Sequence, residues 1–224
     1  FKTGSITTTE SIVDLNEKNN ITNIGSITST TQVYVNVGNE LHLKNGLVTG
    51  RTHVIMHAGN NAIFEGTSIT GALVDITSGG NVSMTAGSIN SADGTINITA
   101  NNDISHKNGS IIAKNANLTA ENDIALEDGS LVAENANLIA TNGLLNQVLV
   151  NGAGHEIDAT NLTVKAGQGV TLGSEENKLN NVFLDVSGGG VLIGNGNTGN
   201  DALKVSIKSG VDTLTNVITI RNYN

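Results

Sequence analysis

Short runs of alternating apolar and polar residues recur along this chain at a fixed distance, each bounded by Gly, Asn, Asp or Ser. The clearest run opens with a small residue, a second small or apolar residue, and then a β-branched or leucine side chain. It reads Gly4-Ser5-Ile6, Gly25-Ser26-Ile27, Gly46-Leu47-Val48, Thr67-Ser68-Ile69, Gly87-Ser88-Ile89, Gly109-Ser110-Ile111 and Gly129-Ser130-Leu131. Successive starts lie 21, 21, 21, 20, 22 and 20 residues apart. Period-two alternation is the signal of a strand with one buried side, and the long amphipathic runs of a helical repeat are absent. One short strand has too little apolar surface to be stable alone. Repeated at a constant interval, it covers its apolar side by stacking on the next copy, as in a solenoid.

Residues 109–128, GSIIAKNANLTAENDIALED, and 129–148, GSLVAENANLIATNGLLNQV, show one turn most plainly. Each carries three strand signals separated by turn residues; in the first these are Ser110-Ile111-Ile112, Asn117-Leu118-Thr119-Ala120 and Asp123-Ile124-Ala125-Leu126. Alternation predicts Ile111, Leu118, Ala120, Ile124 and Leu126 inward, with Thr119 and Ala125 outward. Three strands and three corners per repeat predict a three-sided parallel β-helix of about 21 residues per rung, right-handed by the chirality of parallel crossovers. The predicted core contains Ile69, Ile76, Met84, Ile89, Ile96, Ile104, Ile111, Leu118, Ile124, Leu131 and Leu138. Stacking is expected to align Ile89 with Ile111 and Leu131, and Ile96 with Leu118 and Leu138.

A second column runs through Asn19, Asn39, Asn60, Asn81, Asn102, Asn122 and Asn142, at steps of 20, 21, 21, 21, 20 and 20. Asn accepts corner geometry at low cost, and stacked amides can hydrogen-bond from rung to rung. These seven residues are therefore the expected structural Asn ladder. Regular rungs are expected over 1–148 and a looser continuation over 149–224, in one elongated domain. There Leu162 is echoed by Leu184 and Val170 by Val191, and Ala202 to Ile207 and Val217 to Ile220 read as closing strands. Residues 194–201 are the most loop-like stretch and are expected to project, with Asn195, Asn197, Asn200 and Asp201 as the candidate binding loop. Because the pattern starts in mid-repeat at Phe1, a slice of a longer chain is expected.

Composition narrows the function. The formal net charge of −9, with a pI near 4.8, supplies no basic stripe for nucleic acid. With no Cys, neither a disulfide scaffold nor a Cys-based zinc site can form. No apolar run approaches the length of a membrane span. Aromatics make up 2% of the chain, so the interior must be narrow and filled by Ile, Val, Leu and Ala. Phe1, Tyr34, Phe64, Phe183 and Tyr223 show no evident sugar-stacking column.

Parallel β-helices can be polysaccharide-degrading enzymes, which gather acids and bases on one sheet face. Here the two arginines, Arg51 and Arg221, lie many rungs apart, and Glu175-Glu176 has no neighbouring base, so no catalytic residues are assigned. His53 and His57 share a strand face but stand about 13 Å apart, too far for one metal ion. Calcium is the one cofactor worth weighing, since Asp, Asn and Gly corners offer oxygen ligands. The G-G-x-G-x-D repeat is missing, however: Gly188-Gly189-Gly190-Val191 lacks the Asp. No cofactor or metal site is expected.

The GSI starts, the pair Ala116-Asn117-Leu118-Thr119-Ala120 and Ala136-Asn137-Leu138-Ile139-Ala140, and the corner Gly173-Ser174-Glu175-Glu176-Asn177-Lys178-Leu179 together resemble the filamentous-haemagglutinin-like exoproteins of Gram-negative bacteria and related autotransporter passengers. Lys178 stands where that corner pattern usually has Pro. The resemblance implies two-partner or autotransporter secretion, a cell-surface or secreted location, an outer-membrane secretion partner, and a role in adhesion or virulence. Expected is a rod segment of a surface adhesin that displays or spaces binding modules. The alternative is a face that itself binds a host or bacterial glycan or protein, and a polysaccharide-degrading enzyme is the remote one.

Overall fold

The computed structural model describes residues 4–9, 11–23, 25–150, 153–197, 203–208 and 217–223. Among these the chain is all β, with no helix, and winds as a parallel β-solenoid of about nine turns at about 21 residues per turn. Strand neighbours come from successive turns, as in Ile6–Thr8 on Ser26–Ser29 and Val13–Glu17 on Gln32–Val37. The one antiparallel contact among the described residues joins Leu149 to Gly154 and Val150 to Ala153. At the 4.8 Å spacing of adjacent strands, nine turns make a rod roughly 40 Å long.

All seven small-residue starts align in one ladder, in which Ile6, Ile27, Val48, Ile69, Ile89, Ile111 and Leu131 stack in order. Each of the eleven residues expected in the core is buried. Leu118 and Ala120 point inward and Thr119 between them is half-buried on the outer face. The apolar interior is continuous from Val13 to Ile193, so every rung is covered by its neighbours and the stack is the unit of stability.

Two expected alignments are corrected by two residues. Ile96 stacks on Ala116 and Ala136, while Leu118 and Leu138 lie in line with Ile98. The register shifts between Ser91 and Thr95, where one rung has two more corner residues than the next. Similarly, Leu184 pairs with Val164, and Leu162 pairs with Val182. A two-residue shift preserves which side chains point inward, so the alternation alone does not distinguish the alternatives. The Asn161–Asn181 amide contact, 3.0 Å from Nδ2 of Asn181 to Oδ1 of Asn161, belongs to the observed register. Val170 does pair with Val191.

Among the described residues, the corner before each of the last five small-residue starts turns through left-handed backbone. Asn45, Gly66, Ala86, Asn108 and Asp128 occupy it with φ of 50°, 57°, 50°, 52° and 45°. Asn and Asp tolerate this region and Gly enters it freely, but Ala86 carries a Cβ penalty. At the far end, Lys204–Ile207 adds in parallel to Lys178–Val186, and Ile218–Asn222 adds to Val191–Asn195. Both segments therefore continue the coil.

Candidate functional site

The expected projecting loop is in part a wall of the rod. Asn195 is buried; its Oδ1 accepts the Leu179 N–H at 2.9 Å and its Nδ2 donates to the Leu179 carbonyl at 3.2 Å. Asn197 donates from Nδ2 to Asn180 Oδ1 at 2.6 Å. Asn200 and Asp201 lie outside the described residues. A Gly/Asn-rich stretch reads as an exposed loop in sequence, yet Asn195 acts as an internal substitute for a missing backbone partner.

The expected Asn ladder is a ladder of backbones. The N–H of Asn39, Asn60, Asn122 and Asn142 donates to the carbonyls of Asn19, Asn39, Asn102 and Glu121 respectively. In the fourth turn Gly80, not Asn81, fills the column, donating to Asn60 and accepting from Asn102. Asn81 belongs one position later, in a column where side chains reach backbone. There Asn20 Oδ1 accepts from Glu40 N, Asn61 from Asn81, Asn81 from Asp103, Asp103 from Asp123 and Asp123 from Leu144, at 2.7–3.1 Å.

True amide ladders cover a different, outward face. Asn137 donates to Asn117 at 2.6 Å and Asn117 to Asn97 at 2.8 Å. Beside them Asn181, Asn161, Asn135 and Asn115 form a second chain, from Asn181 onto Asn161, Asn161 onto Asn135 and Asn135 onto Asn115. Asp75, Thr77, Asn97, Thr99, Asn117, Thr119, Asn137 and Ile139 line an open trough of about 520 Å³ along this face. Partial burial raises the Asp75 carboxyl pKa above its ordinary value. The other seven lining side chains are uncharged. Tyr34 and Phe183 lie in the outward column that runs through Asp75, Asn97, Asn117 and Asn137, one on either side of those four. Two aromatics thus share a column, but Ile55, Asp75, Asn97, Asn117, Asn137 and Thr163 separate them. A second open cleft, about 630 Å³, crosses the Gly167-Gln168-Gly169 and Gly188-Gly189-Gly190 corners beside Leu144, Leu192 and Val217.

His53 and His57 make polar contacts on the outer face: His53 Nδ1 lies 3.1 Å from Gln32 Nε2, and His57 Nδ1 lies 3.0 Å from Thr77 Oγ1. Among the described residues no three His, Asp or Glu side chains converge as metal ligands. Ion pairs on the surface join neighbouring rungs, as between Lys107 and Glu127 and between Lys178 and Glu156, both at 2.5 Å.

A buried polar seam is the part of the molecule that sequence reasoning missed. His106 and His155 are 2% and 0% exposed, with Nδ1 of the first 2.6 Å from Nε2 of the second and their rings edge to face. His106 occupies the inward column between Met84 and Leu126. His155 precedes Glu156, which pairs with Ser130, so beneath it lie the small corners Gly129 and Gly109. A Cβ on Gly109 would lie 2.9 Å from His106 Nε2, so the glycine there leaves room for the His106 ring. Burial pushes the His106 pKa down to about 4. It pushes that of His155 to about 3, with repulsion from His106 adding to it and the Glu156 backbone acting in the opposite direction.

Gln147 and Asn177 continue the seam. Gln147 donates from Nε2 to the His155 carbonyl and to Asn177 Oδ1, and its Oε1 accepts from Ser174 N at 2.9 Å. Asn177 Oδ1 also accepts the Ile157 N–H at 3.0 Å, and its Nδ2 donates to Gln147 Oε1 and to the Leu172 and Gly194 carbonyls, each at 3.2 Å. The motif corner from Gly173 to Leu179 is therefore held from inside by two amides. In the sequence, the available signal was a polar residue at an apolar column position: His106 and Gln147 interrupt the series Leu43, Phe64, Met84, Leu126. No family model matches the chain, and neither a curated protein nor a solved structure matches it.

Proposed function

We propose that this chain is an extracellular rod segment of a bacterial surface adhesin or secreted exoprotein, spacing or displaying binding modules. The observation that carries this reading is the parallel stacking of the described strands from Ile6–Thr8 to Ile218–Asn222, which turns chain length into reach at a constant rise per rung. The motifs shared with filamentous-haemagglutinin-like exoproteins support export through an outer-membrane partner. Acidic and basic side chains are either dispersed or ion-paired across rungs, as expected of a wall and not of a catalytic cleft. Removing residues 109–128 joins Asn108 to Gly129, which already stacks on Gly109. A spacer shortened in this way should still fold and deliver its distal parts, with only its length reduced by one rung in scattering or electron microscopy. Loss of display by a well-folded, shortened rod would reject the spacer reading.

The trough favours a second reading, in which one face binds a glycan or protein directly. Its amide ladders hold donors and acceptors rigidly, so little side-chain entropy is lost on contact. Saturable binding of the isolated chain to cells or a glycan array, abolished by Asn117→Lys, would support this reading. Non-saturable binding, or binding insensitive to Asn117→Lys, would reject it.

A further inference from the structure

We propose that His106 and His155 form an acid-sensitive latch: as a neutral pair they tie the turn that begins at His155 to the regular rungs beneath it, and acid opens that corner. Three observations converge on it. The rings are 49 residues apart in sequence, yet meet at 2.6 Å inside the core, beside the buried amides of Gln147 and Asn177. The regular rungs give way here to the stretch containing the antiparallel Leu149–Gly154 contact, so this corner is a seam between two parts of the stack. Finally, Nδ1 of His155 is buried with no hydrogen-bond partner.

The last point sets the chemistry. A buried N–H without an acceptor is a costly group, whereas an unused lone pair costs less. The favourable arrangement therefore has His155 donating from Nε2 to His106 Nδ1, with its own Nδ1 unprotonated. Adding a proton to His155 creates a second N–H, at Nδ1, that no acceptor meets at hydrogen-bonding geometry, and the Glu156 backbone opposes the depression of its pKa only in part. Adding one to His106 Nδ1 removes the acceptor on which His155 relies. The void beside His106, about 10 Å³ and lined by Phe64, Met84 and Ile89 together with Thr67, Ser88 and Ser110, is at the lower limit for a single water and too small to hydrate an imidazolium fully. One ring must leave the core when the pair gains a proton.

No fixed charge in the surroundings compensates this proton. On the strand of His106, Lys107 is ion-paired with Glu127 of the rung above, and Asp128 lies at the next corner. Glu65, one strand beyond Met84, is paired with Lys44. Beside His155, Glu156 is paired with Lys178. Met84, Leu126, Gln147 and Asn177, which complete the packing, do not titrate. Displacing His155 also displaces its carbonyl from Gln147, the first member of the amide seam that holds the Ser174 and Asn177 corner. Opening therefore spreads into the following turn and leaves the rungs below intact.

The test is amide exchange of the intact chain between pH 7 and pH 4.5, corrected for intrinsic exchange chemistry. Each histidine freed to titrate normally makes opening about tenfold more frequent per pH unit below about 6.5. Amides at 147 and 155–157 should show that slope, while those at Ile76, Ile96 and His106 should not. A His106→Leu/His155→Leu variant, which fills both positions with apolar side chains, should abolish the slope. Ring ¹⁵N shifts of the wild type should show both imidazoles neutral at pH 5, a readout that does not depend on the variant folding. Ordinary titration of either ring near pH 6.5, or a slope shared by the whole rod or retained in the double variant, would overturn the latch.

Discussion

Gly66 and Ala86 occupy successive corners of one column with nearly the same left-handed backbone, φ 57° and 50°. Only the glycine does so without strain. Ala86 is exposed, so its methyl contributes no burial to offset the penalty. Ala86→Gly should raise stability by about 0.5–1 kcal/mol, the relief of strain exceeding the added freedom of the unfolded chain. Gly66→Ala should lower it by about 1–2 kcal/mol, because a Cβ there also comes within 2.5 Å of Asn45 Oδ1. Denaturant titration of the two variants measures both changes. Equal signs would refute the corner argument.

Leu118 and Thr119 are adjacent and face opposite sides of the wall. Leu118→Asp places a carboxylate in a fully buried column and should cost several kcal/mol, on the order of 3–5. Thr119→Ala should change stability by less than about 0.5 kcal/mol. Comparable losses at the two sites in urea unfolding would mean that the inner and outer faces are misassigned.

The amides of Asn137 and Asn177 look alike in sequence but differ in burial. Asn137→Ala removes an outer ladder bond whose former partner can turn to water, a loss of about 1 kcal/mol. Asn177→Ala strands Gln147, the Ile157 N–H and the Leu172 and Gly194 carbonyls inside the rod, so the loss should reach about 3 kcal/mol or more. Calorimetric melting temperatures should rank the variants in that order.

Global stability should fall in acid more steeply than carboxylate titration alone requires. His106 and His155 have folded pKa values of about 4 and about 3, below the ordinary 6.5. For groups depressed in this way, the unfolded chain takes up protons first. The stabilisation is complete above pH 6.5 and is lost as pH falls toward those folded values, at about 1.4 kcal/mol per pH unit for each ring. By pH 5 about 2 kcal/mol per ring is gone. Unfolding free energies at pH 7 and 5 should differ by clearly less in His106→Leu/His155→Leu. An identical pH dependence in both proteins would contradict the burial of the pair.

The repeat made the solenoid, its rung length and the inward set from Ile69 to Leu138 legible before any coordinates, since period two fixes which side chains share a face. It could not distinguish registers that differ by two residues, because both bury the same parity; hence the misplacement of Ile96 and Leu162. It marked Asn195 as a loop residue and Asn81 as a column member, because Asn has the same local preference whether it faces water or a stranded backbone group. The 49-residue separation of His106 and His155 left no local signal. Their meeting depends on Gly109, which leaves room for the His106 ring, and on the column of Leu, Phe and Met in which His106 sits. Period and polarity are properties of neighbours along the chain and set the architecture. The buried pair and its amide seam arise from contacts between turns, which only the stacked structure decides.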